Sequence, residues 1–61
     1  MSLYIVSDIE GQELVTLSTD SETDRKFLYQ IYCEKKIEDF EVGEEYLFGY
    51  SGNAGMIRRV R

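Results

Sequence analysis

Few residue types in this sequence can do chemistry. There is one thiol, Cys33, and no histidine anywhere in the 61 residues. A serine, threonine or cysteine nucleophile needs a neighbouring base, and imidazole is the usual one. Cys33 lies in the mostly apolar stretch Phe27–Cys33, so it reads as a small core residue. A structural zinc site needs four Cys or His ligands, which this chain cannot supply. The twelve carboxylates are the only plentiful acid–base groups. No pair among them is singled out by its spacing. Asp20-Ser21-Glu22-Thr23-Asp24 alternates oxygen ligands as a calcium loop does. That loop requires glycine at its sixth position and glutamate at its twelfth, and Arg25 and Ile31 stand there. The turn Ser51-Gly52-Asn53-Ala54-Gly55, with Arg58 and Arg59 nearby, has backbone N–H groups that could meet a phosphate. It lacks the lysine and spacing of a phosphate-binding loop, and a tight hairpin turn explains it as well. The expectation is a protein that is not an enzyme and uses no cofactor and no metal.

Two constellations suited to binding remain. The first is acidic. Asp8/Glu10, Asp20/Glu22/Asp24 and Asp39/Glu41 repeat at i, i+2. In extended chain that spacing sets carboxylates on one side, roughly 6–7 Å apart. Such a row could imitate a nucleic-acid backbone and occupy a basic groove on another protein. Solubility alone would also account for it. The second constellation joins the aromatics Tyr46, Phe48 and Tyr50 to Asn53 and the terminal Arg58, Arg59 and Arg61. Aromatics and arginines on one face make a platform for a nucleotide or a short single strand. Against it, a net charge of −5 repels polyanions, and the same aromatics could be core.

The charge falls in blocks. Residues 1–24 hold six acids and no base, 25–36 four bases and one acid, 37–48 five acids and no base, and 49–61 three bases and no acid. Alternating blocks can pair across neighbouring strands. On that reading they neutralise one another within the fold.

The elements that must position these groups are short. An apolar fraction of 43%, with 13% aromatic residues, is too rich for a disordered chain. The length gives a single small domain over 1–61, which buries only about 60% of its unfolded surface. Leu3–Ile9 and Glu13–Ser18, joined through Glu10-Gly11-Gln12, read as a hairpin. Thr19–Asp24 reads as a loop. Arg25–Lys36 is ambiguous. As a strand it alternates Phe27, Tyr29, Ile31 and Cys33 against Leu28, Gln30, Tyr32 and Glu34. As a helix it has a Ser21-x-x-Asp24 cap, acids at its start and Lys35-Lys36 at its finish. Its apolar residues, however, spread around nearly the whole helical circumference, and the strand is favoured. Ile37 and Phe40 suit one helical turn that plugs the end of a barrel. Glu44–Tyr50 is a strand with Tyr46, Phe48 and Tyr50 on one face and Leu47 on the other. The glycine turn then leads to a last strand, Met56–Val60.

Val42-Gly43-Glu44-Glu45-Tyr46-Leu47-Phe48 followed by Gly52-Asn53-Ala54-Gly55-Met56-Ile57 resembles the pattern of SH3-like barrels, including KOW-type modules. The similarity covers about a third of the chain. It implies an all-β fold, a five-stranded SH3-like small barrel. The alternative is α+β, with residues 22–36 helical and packed on a four-stranded sheet. The tryptophan and proline with which signalling SH3 domains read their ligands are both absent. The basic surface of KOW-type modules is not matched by this acidic chain, so no function carries across.

The expected function is that of a non-catalytic acidic interaction protein that binds a protein partner with a basic surface and modulates or inhibits it. In size and charge it resembles virus- or mobile-element-encoded inhibitors of host enzymes. A homo-oligomer is expected, since so short a chain buries little on its own. The alternative function is a module that binds or sequesters a nucleotide or single-stranded nucleic acid. Four apolar residues, Leu3–Val6, precede Asp8. That is too short for a signal segment or a membrane span, so the expected location is cytoplasmic, with no membrane partner.

Overall fold

The computed structural model describes residues 1–61. The chain runs β1 (Leu3–Ser7), β2 (Glu13–Ser18), α1 (Glu22–Leu28), β3 (Tyr32–Cys33), a 3-10 turn (Ile37–Asp39), β4 (Glu45–Tyr50) and β5 (Asn53–Arg59). All five strands join one antiparallel sheet in the order β2-β1-β5-β4-β3. β2 and β3 are its edges and share no ladder.

Alternation along the strands sends Tyr4, Val6, Leu17, Phe48 and Ile57 to the inner face of the sheet. Leu28, Ile37 and Phe40 cover them, and together these eight residues form the core. Tyr4 meets Phe40 edge-on at 5.8 Å between ring centroids, and its hydroxyl donates to the Ile37 carbonyl at 2.9 Å. The Ile37/Phe40 pair thus marks a helical turn, as its spacing predicted, and both side chains are buried against the inner face of the sheet. Gly55 lies opposite Phe48. A Cβ there would stand 2.5 Å from the Ser7 carbonyl oxygen and 3.0 Å from the Phe48 ring, so only glycine lets β5 approach β1 so closely.

The β4–β5 turn is tighter than the five-residue turn expected from the sequence. Tyr50 pairs with Asn53, which leaves Ser51 and Gly52 alone in the loop, at φ of 49° and 81°. Positive φ at both positions is the type I′ hairpin, whose twist matches that of its strands.

Residues 25–36 depart from the favoured strand. Helix α1 takes 22–28, and only Tyr32–Cys33 joins the sheet. Three local features favour the helix. The Ser21 hydroxyl accepts from the Asp24 backbone N–H at 3.2 Å, Glu22 and Asp24 occupy the first turn, and Arg25 and Lys26 the last. Packing adds to these. A strand would send Phe27 and Leu28 to opposite faces, whereas the helix places both against the sheet. Leu28 is fully buried, and the Phe27 ring reaches Tyr50 at 4.9 Å and Phe48 at 6.3 Å. The helix stops after seven residues, so it never has to bury its whole circumference.

The same cap shields an edge of the sheet. The Ser18 N–H donates to the Asp24 carboxylate at 3.0 Å, and the Ser18 carbonyl accepts from the Ser21 N–H at 3.2 Å. A register shift between Val6 and Ser7 breaks the other end of the β1–β2 ladder. A capped and bulged β2 and a two-residue β3 leave little edge for unwanted pairing.

Candidate interaction surfaces

None of the i, i+2 acid sets lies in a strand, so no row of carboxylates at strand spacing forms. The local reasons differ. The Asp8 carboxylate turns back to accept from the backbone N–H groups of Glu10 and Gln12, both at 2.9 Å. That bond pattern builds the loop beside Gly11, whose φ is 93°. Asp24 is occupied by Ser18, as described above. Glu22 sits in the first turn of α1, and Asp39 ends the 3-10 turn.

The antiparallel registers nevertheless gather part of the set. Leu3 pairs with Ser18, Tyr4 with Arg59, and Glu45 with Arg58. The chain that leaves β2 and the chain that enters β4 therefore meet at one end of the sheet. Asp20, Glu22, Asp39 and Glu41 all lie on those connections and are exposed. Asp8 and Glu10 lie at the opposite end.

The charge blocks do not neutralise one another by pairing. Glu13, Glu22 and Glu44 are the three carboxylates within 4.0 Å of a side-chain cation, and the other nine of the twelve are not. The Lys26–Glu22 pair, at 3.9 Å, and the Arg58–Glu13 pair, at 3.7 Å, are solvent-exposed, where such contacts contribute little. Two arginines are directed to carbonyls instead. Arg25 Nη1 donates to the Thr19 carbonyl and Arg59 Nη1 to the Phe40 carbonyl, both at 2.6 Å.

Glu44 is the exception, and the spacing of the sequence did not single it out. It accepts from the Glu41 backbone N–H at 2.7 Å, from Lys35 at 2.8 Å and from the Tyr46 hydroxyl at 3.0 Å. These bonds, led by that from the Glu41 N–H, hold its carboxyl down to about 2. They also raise the Lys35 ammonium and the Tyr46 hydroxyl above their usual values. The one signal available in the sequence was the Glu44/Tyr46 spacing, which puts both on one side of a strand.

The aromatic and arginine residues do not form a single platform. Tyr46, Phe48 and Tyr50 share the inner face, but Phe48 is only 8% exposed and Tyr46 packs on Phe40 at 5.0 Å. Arg58 stands on the outer face, opposite Glu45. Arg59, on the inner face, also donates through Nε to the Arg61 carbonyl at 3.0 Å. Asn53 sits at the far hairpin. These residues are therefore mainly core, strand and turn residues, spread over two faces and two ends.

The chain matches no protein-family model, no curated protein and no solved structure. Its surfaces are therefore read on their own chemistry. One open groove of about 270 Å³ is lined by the apolar Leu28, Ile31, Cys33 and Ile37 and by Tyr29, Lys36 and Glu38. Cys33 is a free, half-buried cysteine. No three His, Cys, Asp or Glu side chains are placed to hold a metal ion. No helix is long and apolar enough to cross a membrane.

Proposed function

We propose that this protein is a non-catalytic interaction protein that binds a partner protein through a basic surface on that partner and modulates it. The observation that carries this reading is the set of nine carboxylates with no side-chain cation within 4.0 Å, while Arg25 and Arg59 are spent on carbonyls. The contact falls at the end of the sheet that carries Asp20, Asp39 and Glu41, three of those nine, together with Glu22, whose 3.9 Å contact with Lys26 is solvent-exposed, on connections fixed by the α1 cap and the 3-10 turn. Fixed carboxylates speed encounter with a basic partner and select against acidic ones. An enzyme whose basic groove normally accepts a polyanion fits this description, and occupying that groove would inhibit it.

The test compares the wild type with D20K/E22K/D39K/E41K as baits in cells of the source organism. A partner that binds the wild type, has a basic contact surface and is lost with the variant is the expected result. A partner retained by the variant with unchanged affinity would place the contact elsewhere. Titration with labelled single-stranded DNA and with nucleotides at low salt tests the other reading. Saturable binding there would displace the proposal.

A further inference from the structure

Glu44 accepts more hydrogen bonds than any other carboxylate of the protein, and its bonds shape one turn. The Glu44 N–H donates to the Glu41 carbonyl at 3.0 Å, and Gly43 has a φ of 94°. A positive φ at the third residue alone is the type II turn. The Glu44 carboxylate closes the same turn a second time, through the Glu41 N–H at 2.7 Å, and is itself held by Lys35 and Tyr46. β5 grips the turn from its other side. The Gly43 N–H donates to the Arg59 carbonyl at 2.7 Å, and the Arg59 N–H to the Glu44 carbonyl at 3.0 Å. Few surface turns need so many ties to keep their shape.

The corner that these bonds leave outward is Val42, whose side chain is 62% exposed. A lone exposed valine is ordinary. This one stands on a fixed frame, next to Glu41 and at the end of the sheet that carries Asp20, Glu22 and Asp39. Val60, which follows Arg59 at the same end, is exposed as well. Lys36, just before the 3-10 turn, and Arg61, just after β5, are exposed cations here, and the four carboxylates outnumber them. An apolar centre within a charged rim is the anatomy of a protein contact. The rim speeds encounter and selects the partner, while a group already ordered before binding loses little freedom when it docks.

We propose that Val42 is the apolar anchor of the partner contact, delivered by the Glu41–Glu44 turn into an apolar recess ringed by basic residues on the partner protein. This inference rests on the partner-binding reading and adds to it the centre of the contact and the shape of what it meets.

The partner recovered with the wild-type bait is purified and titrated by calorimetry with the wild type and two variants. Val42→Asp separates an anchor from charge alone, because it adds a carboxylate while it removes the apolar group. Its Kd is expected to be weaker by about tenfold or more, since a charge would then enter an apolar recess. Ile9→Asp is the matched control. Ile9 is 68% exposed between Asp8 and Glu10 at the opposite end of the sheet, and its replacement should leave Kd unchanged. Order parameters from nuclear magnetic resonance test the frame in the free protein, with about 0.85 expected at Val42 and Gly43, as in rigid backbone. Circular dichroism confirms that each variant is folded. A Val42→Asp protein that binds as tightly as the wild type, or more tightly, overturns the anchor and leaves the charge reading standing. So does an Ile9→Asp protein that is weakened equally, or a turn clearly more mobile than the strands. Recovery of no partner that is lost with D20K/E22K/D39K/E41K removes the partner-binding reading and this inference together.

Discussion

Substituting Gly55 by alanine tests the closest approach in the core. The added Cβ would stand 2.5 Å from the Ser7 carbonyl oxygen, and 3.0 and 3.2 Å from two Phe48 ring carbons. The ring contacts could relax by a small rotation, although Phe48 is held against Phe27. The carbonyl cannot move alone, because Ser7 is backbone of β1, paired with Met56. The sheet must open locally between β1 and β5. Overpacking of this kind costs about 1–3 kcal/mol, and a backbone neighbour puts Gly55→Ala near the upper end. Each kcal/mol lowers Tm by roughly 4–8 °C in a domain of this size, so a drop of at least about 10 °C is expected. Gly49→Ala is the control, since its nearest neighbour would be the Asn53 carbonyl oxygen at 3.7 Å, an ordinary contact. Thermal melts of both variants, followed by circular dichroism, make the comparison. A Gly55→Ala protein that melts within about 2 °C of the wild type would refute the reasoning, as would a Gly49→Ala protein that falls equally far.

Two other substitutions probe single polar contacts. Glu44 has its carboxyl lowered from 4.5 to about 2, so its contribution to stability is complete above the unfolded value and is lost as the pH falls from about 4.5 through about 2. Glu44→Gln should therefore melt below the wild type at neutral pH and show a shallower loss across that acid window; parallel melting curves from pH 7 to 2 would count against the assignment. Tyr4→Phe removes the buried donor to the Ile37 carbonyl, at a cost of about 1–3 kcal/mol, and should loosen the 3-10 turn first. Faster hydrogen exchange at Phe40, whose N–H bonds to Ile37, is the readout.

The strands were legible where alternation and turn residues agreed. Gly11 marked one hairpin and Gly52 the other, and the Ile37/Phe40 spacing alone showed a helical turn. Residues 25–36 were not legible, because period two and a capped helix were both written into them. The deciding contacts, Phe27 with Tyr50 and Leu28 with the sheet, are made with strands distant in sequence. The candidate site was legible only as charge. Sequence spacing assumed extended chain for the acid sets, whereas Asp8 and Asp24 have short side chains that bond local backbone and build turns. The nine carboxylates without an ion-pair partner could be seen only once the arginines were found bonded to carbonyls.

The strand order has a consequence for how the molecule assembles. β5 follows every other strand in sequence yet sits at the centre of the sheet, between β1 and β4. Before it arrives, the chain offers only a β1–β2 hairpin and a β3–β4 pair, and isolated two-stranded units are marginal in water. The sheet therefore cannot grow strand by strand as the chain emerges; it closes in one late step that unites two halves. That step brings Leu3 against Arg61, spans nearly the whole sequence and must meet its loop-closure entropy before the central contacts form. Folding should be slow for so short a chain and all-or-none, with no stable intermediate lacking the last strand.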